Sequence, residues 1–140
     1  MLVSDITTGE VVKRSATDSL QDAVTVMHES DTSYCIVDLD GIPSGLLTER
    51  DALDACRRSG RPLTAISLDH FATGFDVAVT PDKTVYYAVG LMVSHGLEAL
   101  PVKDGLDIVG VLTQEDVMVN LTNLTRETVN NLGQKNKWSK

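Results

Sequence analysis

The strongest constraint on this chain is that its sequence is written twice. Shifted by 65 residues (Thr48 onto Thr113) and without a gap, Thr8 meets Thr73, Gly9 meets Gly74, Val12 meets Val77, Ala23 meets Ala88, Val24 meets Val89 and Met27 meets Met92. The same register brings Val37 onto Val102, Gly45 onto Gly110, Leu47 onto Leu112, Thr48 onto Thr113 and Asp51 onto Asp116. It holds from Val3 to Leu53 and from Leu68 to Met118. The matches fall on glycines, turns and apolar stripes, so one structural unit is used twice. A unit of about fifty residues buries too little surface to stand alone, and the two copies are expected to share a core.

Each copy reads as strand, helix, strand, strand, helix. Val11-Val12 and Val77-Ala78-Val79 are the first strand candidates by β-branching. The helix that follows shows Leu20, Ala23, Val24 and Met27 in one copy and Val85, Ala88, Val89 and Met92 in the other, each a single buried stripe. Ser19 with Asp22, and Thr84, cap these helices, and Gly96 stops the second one. The strands Tyr34–Val37 and Ile42–Leu47, then Ala99–Val102 and Ile108–Leu112, form hairpins whose turns fall at Asp40-Gly41 and Asp104-Gly105. A second helix opens at Thr48 and at Thr113; the first of these ends near Ser59-Gly60, before Pro62. The expected fold class is α+β: two β-α-β-β-α repeats packed sheet against sheet with pseudo-twofold symmetry, helices outside. Boundaries are placed at 1–60 and 61–119, with a C-terminal helical tail over 120–140. The tail carries Leu121, Leu124 and Leu132 in a polar background, too sparse for a core element, and 133–140 reads as frayed. The sequons at Asn120 and Asn123 are taken as coincidental.

Charge and composition exclude several roles. Lys+Arg is 12 against Asp+Glu 20, a net charge of −8. That disfavours a nucleic-acid partner and a polybasic membrane anchor. No apolar run approaches the ~18–20 residues of a membrane span. Met1-Leu2-Val3-Ser4-Asp5 has no basic leader, and Cys35 and Cys56 form no CxxC, so a reduced cytoplasmic setting is expected. His28 and His95 fall near helix ends and His70 beside Asp69; none has the spacing of a metal site, and no metal or cofactor is expected. No Ser-His-Asp or Cys-His arrangement is evident either, and no catalysis is expected.

Chemistry concentrates at Gly45-Leu46-Leu47-Thr48-Glu49-Arg50-Asp51 and its echo Gly110-Val111-Leu112-Thr113-Gln114-Glu115-Asp116. Both sit where a strand turns into a helix. The helix start offers free N–H groups and the positive end of the dipole. A Thr hydroxyl joins those amides in holding a ribose or phosphate oxygen, and an Asp one turn on can accept from a vicinal diol. Thr-x-x-Asp is equally a plain helix cap; the two roles are compatible, since a cap can exchange partners when a ligand arrives.

These motifs resemble a tandem pair of cystathionine-β-synthase (CBS) domains, a Bateman module, over about residues 3–118. The second copy shows both family signatures, Ala99-Leu100-Pro101-Val102 and the Gly-apolar-apolar-Thr-x-x-Asp run; in the first copy Tyr34-Cys35-Ile36-Val37 lacks the Pro. The resemblance implies a non-catalytic regulatory module. It would bind an adenosine-type ligand (AMP, ADP, ATP, S-adenosylmethionine or NAD) in two clefts between the repeats and relay it to a regulated protein. It also implies a homodimer, and the apolar residues Ala52, Leu53, Ala55, Cys56, Val117, Met118 and Leu121 on the second helices fit such a contact.

Carried over by position, Asp51 and Asp116 would accept from ribose hydroxyls, with Thr48 and Thr113 on ribose or phosphate. Tyr34 and Ala99, near the Pro101 position, would lie by the adenine. Val12 and Val77, within Thr8–Lys13 and Thr73–Ala78, would form the opposite wall. Arg50 is the one well-placed cation and Glu115 is its acidic counterpart, while Glu98 would repel a phosphate. A phosphorylated ligand is therefore expected to fill the Thr48/Asp51 cleft first, unless Arg50 pairs instead with Asp54. Arg57, Arg58 and Arg61 compensate a helix end or reach phosphates. The alternative function is a dimeric scaffold that has lost its ligand; retention of both Thr-x-x-Asp pairs argues against it.

Overall fold

The computed structural model describes residues 1–7, 10–127 and 129–130. In chain order the elements are α1 (Val3–Ile6), β1 (Lys13–Ser15), α2 (Leu20–Glu29), β2 (Tyr34–Leu39), β3 (Ile42–Thr48), α3 (Glu49–Ser59), two 3₁₀ turns (Leu63–Ala65 and Leu68–Phe71), α4 (Val85–His95), β4 (Ala99–Asp104), β5 (Asp107–Thr113) and α5 (Gln114–Val119). Residues 121–127 are helical as well. The helix starts are where the caps predict. Asp22 N–H donates to Ser19 Oγ at 3.3 Å while Ser19 N–H donates to Asp22 Oδ2 at 2.9 Å. The Ser19 N–H and the Ser19 hydroxyl, both donating to Asp22 Oδ2, hold that carboxyl below its usual range. Tyr87 N–H donates to Thr84 Oγ1 at 3.1 Å, and Gly96 closes α4 at φ 64°. Leu20, Ala23 and Met27 of α2 and Val85, Ala88 and Met92 of α4 are buried; Val24 and Val89 are half-buried.

The hairpins repeat down to their irregularities. Tyr34 faces Thr48 and Val37 faces Gly45, with a register shift after Val37; Ala99 faces Thr113 and Val102 faces Gly110, with the shift after Val102. The first strands differ from expectation. In the first repeat the strand is β1, one step beyond Val11-Val12, parallel to β2. In the second repeat it shrinks to one bridge between Val79 and Val102, the place of Arg14 and Val37. Proline explains the loss. In the first repeat Ile36 N–H donates to Val12 O at 2.8 Å and Ala16 N–H donates to Asp38 O at 2.7 Å. Sixty-five residues on, both donors are prolines, Pro101 and Pro81, which have no N–H. The second hairpin turn is also shifted: Asp104 pairs with Asp107, so Gly105 (φ 64°) and Leu106 make the turn. In the first, Asp40 (φ 53°) and Gly41 (φ 78°) do so as expected.

Strand alternation divides the core. Cys35 and Val37 face the α2 side, and Leu100 and Val102 face the α4 side. Tyr34, Ile36, Ala99, Ile108 and Val111 meet between the repeats. The lead-in segments are exchanged. Val3 and Ile6 of α1 are buried in the second repeat's core, where Val3 N–H donates to Lys83 O and Val85 N–H to Met1 O. Leu68 is buried in the first repeat's core, where Leu20 N–H donates to Ile66 O and Leu68 N–H to Asp18 O. Each repeat is thus closed by the segment preceding the other.

The tail departs from expectation. Leu124 is 5% exposed and belongs to the second repeat's core, whereas Leu121 is 55% exposed. Leu132 and 133–140 lie outside the described residues. No helix among the described residues is long and apolar enough to cross a membrane.

Candidate functional site

Both Thr-x-x-Asp runs form the reciprocal cap. Asp51 N–H donates to Thr48 Oγ1 at 3.2 Å and Thr48 N–H to Asp51 Oδ2 at 2.9 Å; the Thr113/Asp116 distances are 3.1 and 2.9 Å. One oxygen of each carboxylate is so engaged, and the other keeps its lone pairs for a donor. Gly45 lets the linker close over this junction. A Cβ there would stand 1.8 Å from the carbonyl oxygen of Phe71, and Gly74 N–H donates to Ser44 O at 2.6 Å.

Beside this closure, residues of both repeats meet at one cleft. Thr48, Arg50 and Asp51 of the first repeat and Val77, Ala99 and Pro101 of the second line one cleft of about 500 Å³, with Leu46, Phe75, Asp76 and Glu98. Six of the ten expected residues therefore share a space, contributed by both repeats. Apolar groups form one wall and the cap the other.

The electrostatics of this cleft differ from expectation. Arg50 and Glu98 lie in the same cleft, and their Nη1 and Oε1 atoms are 3.4 Å apart. Arg50 is not paired with Asp54. That carboxylate takes Arg57 at 2.8 Å and Arg58 at 2.9 Å instead, and the bond from Arg57 holds it below the usual range. The cation credited to the Thr48/Asp51 cleft is thus offset by an acid across it, and Asp51 and Asp76 leave the lining net negative.

The remaining four residues are arranged differently. Val12 and Tyr34 line a cavity of about 760 Å³ with Val11 and Val26. Thr113 lines another of about 520 Å³ with Ser33, Glu98 and Glu115. Tyr34 stands where the first cleft has Ala99, and it is 5% exposed. Burial, and then the Asp116 charge, push its phenol pKa up, so this ring lies within the field of the second carboxylate. Thr8 and Gly9 lie outside the described residues.

A groove beside the first cleft, where Arg58 and Arg61 stand with Asp51 and Asp54, was only hinted at in the sequence. Arg58, Ser59, Arg61 and His70 line a space of about 680 Å³ that shares Leu46, Asp51 and Thr73 with the cleft. The available signal was helical spacing, since Arg58 is two turns from Asp51 on the same face of α3. His28 and His95 occupy the last turns of α2 and α4, and His70 Nε2 is 3.8 Å from Asp69. Among the described residues, no three His, Cys, Asp or Glu side chains group as metal ligands. Of the expected dimer face, Leu53, Met118 and Leu121 are exposed while Ala52 is buried.

Known proteins share this architecture. The chain is 25% identical over 91% of its length to the CBS domain-containing protein YhcV of Bacillus subtilis, covering 97% of that protein. Its fold superposes with a TM-score of 0.76 on the CBS domain pair of protein MJ0100 in complex with 5′-methylthioadenosine and S-adenosyl-L-methionine, at 20% identity, covering 86% of this chain and 99% of that one. It superposes with a TM-score of 0.75 on a hexameric CBS-CP12 protein from bloom-forming cyanobacteria, at 23% identity, covering 84% and 69%. The family described as CBS domain matches residues 3–58 and 75–123, once on each repeat. The chain belongs to the CBS domain family, as a tandem pair.

Proposed function

We propose that this chain is a non-catalytic regulatory module that binds an adenosine-type ligand between its repeats and relays its presence to a partner protein. The observation that carries this reading is the shared cleft. The Thr48/Asp51 cap of one repeat faces the Val77, Ala99 and Pro101 wall of the other. Asp51 suits a ribose diol, and the apolar wall suits a purine face. The adenosine derivatives bound to the CBS pair of MJ0100 support the same ligand class. Asp51, Asp76 and Glu98 against Arg50 disfavour a phosphate held at this cleft itself.

Thermal-shift and calorimetric titrations with adenosine, AMP, ATP and S-adenosylmethionine test the reading. Stabilisation by at least one of them is expected, growing with ligand concentration. It should weaken at least tenfold in Asp51→Ala, which removes a charge-assisted hydrogen bond of roughly 1.5–3 kcal/mol. No binding by any of the four would leave the ligand-free scaffold as the better description. A second copy packed on the Leu53 and Met118 faces is part of the proposal; light scattering that gives a 15.1 kDa particle would remove that part.

A further inference from the structure

We infer that the first repeat carries a further ligand site, a cavity at the hairpin-turn end of its sheet that takes a free α-amino acid, the ligand's carboxylate on Arg14 and its ammonium on Asp38. The cavity measures about 440 Å³ and is lined by Lys13, Arg14, Asp18, Asp38 and Asp40 together with the turn around them. Of the cavities described above, only the one beside Tyr34 has a residue in common with it, Lys13. The Thr48/Asp51 cleft has none, so occupation of one does not require occupation of the other.

Two buried atoms mark the site. Among the described residues, the buried side-chain polar atoms without a hydrogen-bond partner are Arg14 Nε and Asp38 Oδ1, and both residues line this one cavity. Arg14 and Asp38 form no ion pair with each other or with another described residue. A buried group of either sign left unpaired costs stability, so a ligand that carries both an acceptor and a donor satisfies two groups at once. The neighbouring carboxylates are already engaged: Asp22, within the field of Arg14, is held by Ser19, and Asp18 Oδ2 accepts from the Ser15 N–H at 3.3 Å. The strands fix the spacing. β1 and β2 run parallel with Arg14 opposite Val37 and Ser15 opposite Asp38, and Ala16 N–H donates to Asp38 O at 2.7 Å. Arg14 and Asp38 thus stand on adjacent strands one residue apart in register, about 3.3 Å along the strand, on the scale of the two charged groups that flank an α-carbon. Two cations, Lys13 and Arg14, against Asp18, Asp38 and Asp40 favour an amino acid with a neutral or basic side chain over an acidic one.

The second repeat acts as an internal control. At the 65-residue offset Val79 takes the place of Arg14, Lys103 that of Asp38 and Gly105 that of Asp40. Val79 is 3% exposed and packs in the second repeat's core, and the Lys103 ammonium lies 5.7 Å from the centre of the Phe75 ring. The fold is therefore satisfied by an apolar residue where the first repeat places a guanidinium. The opposite charges around the first repeat's cavity are not a requirement of the repeat.

Calorimetry of the full chain, Arg14→Val and Asp38→Asn tests this, with L-alanine, L-lysine and L-glutamate and with the end-blocked L-alaninamide and N-acetyl-L-alanine. The wild-type protein should bind L-alanine and L-lysine at millimolar concentration or below, and L-glutamate more weakly. Blocking either end of L-alanine should weaken binding about tenfold, the loss of one charge-assisted hydrogen bond. Arg14→Val copies Val79 and should melt as a folded protein; it should lose the preference for L-alanine over L-alaninamide. Asp38→Asn, close in shape to the original, should lose the preference for L-alanine over N-acetyl-L-alanine. No binding of L-alanine or L-lysine to the wild-type protein, or binding unchanged in both variants, would overturn the site. L-Glutamate bound more tightly than L-lysine would overturn the class of ligand.

Discussion

Arg50 Nη1 and Glu98 Oε1 lie 3.4 Å apart across the cleft, joining the residue before one repeat's Asp to the residue before the other repeat's Ala99. Viewed as sequence, the two charges describe different copies. In the folded chain they face the same ligand space and largely cancel.

Neutralising Glu98 should therefore release Arg50. Glu98→Gln is expected to raise the affinity for AMP about two- to fivefold, a modest gain because both side chains are substantially solvated. Adenosine affinity should stay unchanged. A calorimetric titration showing AMP affinity constant or lowered in Glu98→Gln would mean that Arg50 does not reach the ligand.

Two glycine-to-alanine changes should have opposite signs. Gly45→Ala puts a Cβ 1.8 Å from a backbone oxygen of Phe71. The linker must move, at a cost on the order of 2–3 kcal/mol. Gly90→Ala, within α4 and with nothing inside 4 Å of the new Cβ, should stabilise by roughly 0.5–1 kcal/mol through helix propensity. Urea denaturation of both variants reads the difference; a Gly45→Ala protein as stable as wild type would contradict the close approach.

The repeat made most of the fold legible. Caps at Ser19, Thr48, Thr84 and Thr113, the stripes of α2 and α4, and both hairpins were readable because each rests on local spacing. Other features depend on what meets across the chain. Val77–Val79 is β-branched yet forms only one bridge, because its ladder donors would be Pro81 and Pro101. Val3 and Leu68 are equivalent in sequence, but local spacing does not say that each closes the other repeat. Six of the candidate residues line one cleft. The electrostatics did not follow, because Glu98 enters from the opposite repeat.

Leu124 and Leu121 test the tail. Leu124 is 5% exposed within the second core, and Leu121 is 55% exposed. Leu124→Ala should destabilise by about 2–4 kcal/mol. Leu121→Ala should stay within about 0.5 kcal/mol in the isolated chain. Similar denaturation midpoints for the two variants would show that 121–127 is not part of the core.

The two cysteines should differ in reactivity. Cys35 is fully buried in β2, and burial pushes its thiol up to about 11 from 9.0; Cys56 is half-buried. The thiolate is the reactive form, so at pH 8 a thiol reagent should label Cys56 first and Cys35 only on unfolding. The raised pKa favours the protonated thiol in the folded state. Its contribution to stability is full below pH 9.0 and is lost between 9.0 and about 11. Cys35→Ala should flatten the decline of stability over that interval. Rapid labelling of Cys35 in the native protein at pH 8 would contradict its burial.

The exchange of Tyr34 and Ala99 tests what separates the two clefts. Both residues open the first strand of their hairpins and face the core between the repeats. Ala99 leaves room beside Thr48 and Asp51, whereas the Tyr34 ring is buried within the field of Asp116. Ala99→Tyr should fill the first cleft and reduce adenosine binding at least tenfold, beyond the roughly 1–3 kcal/mol overpacking cost to stability. Tyr34→Ala should open the equivalent space beside Asp116 and add a second adenosine equivalent. Its loss of aromatic burial is on the order of 3–5 kcal/mol, so the titration is best run below 20 °C, near maximum stability. Burial is the larger cause of the raised Tyr34 phenol and the Asp116 charge the second, so Asp116→Asn should move the Tyr34 titration only part of the way to lower pH, read as the absorbance difference from an Asp116→Asn/Tyr34→Phe protein. Undiminished adenosine binding in Ala99→Tyr would place the ligand elsewhere, whatever Tyr34→Ala shows.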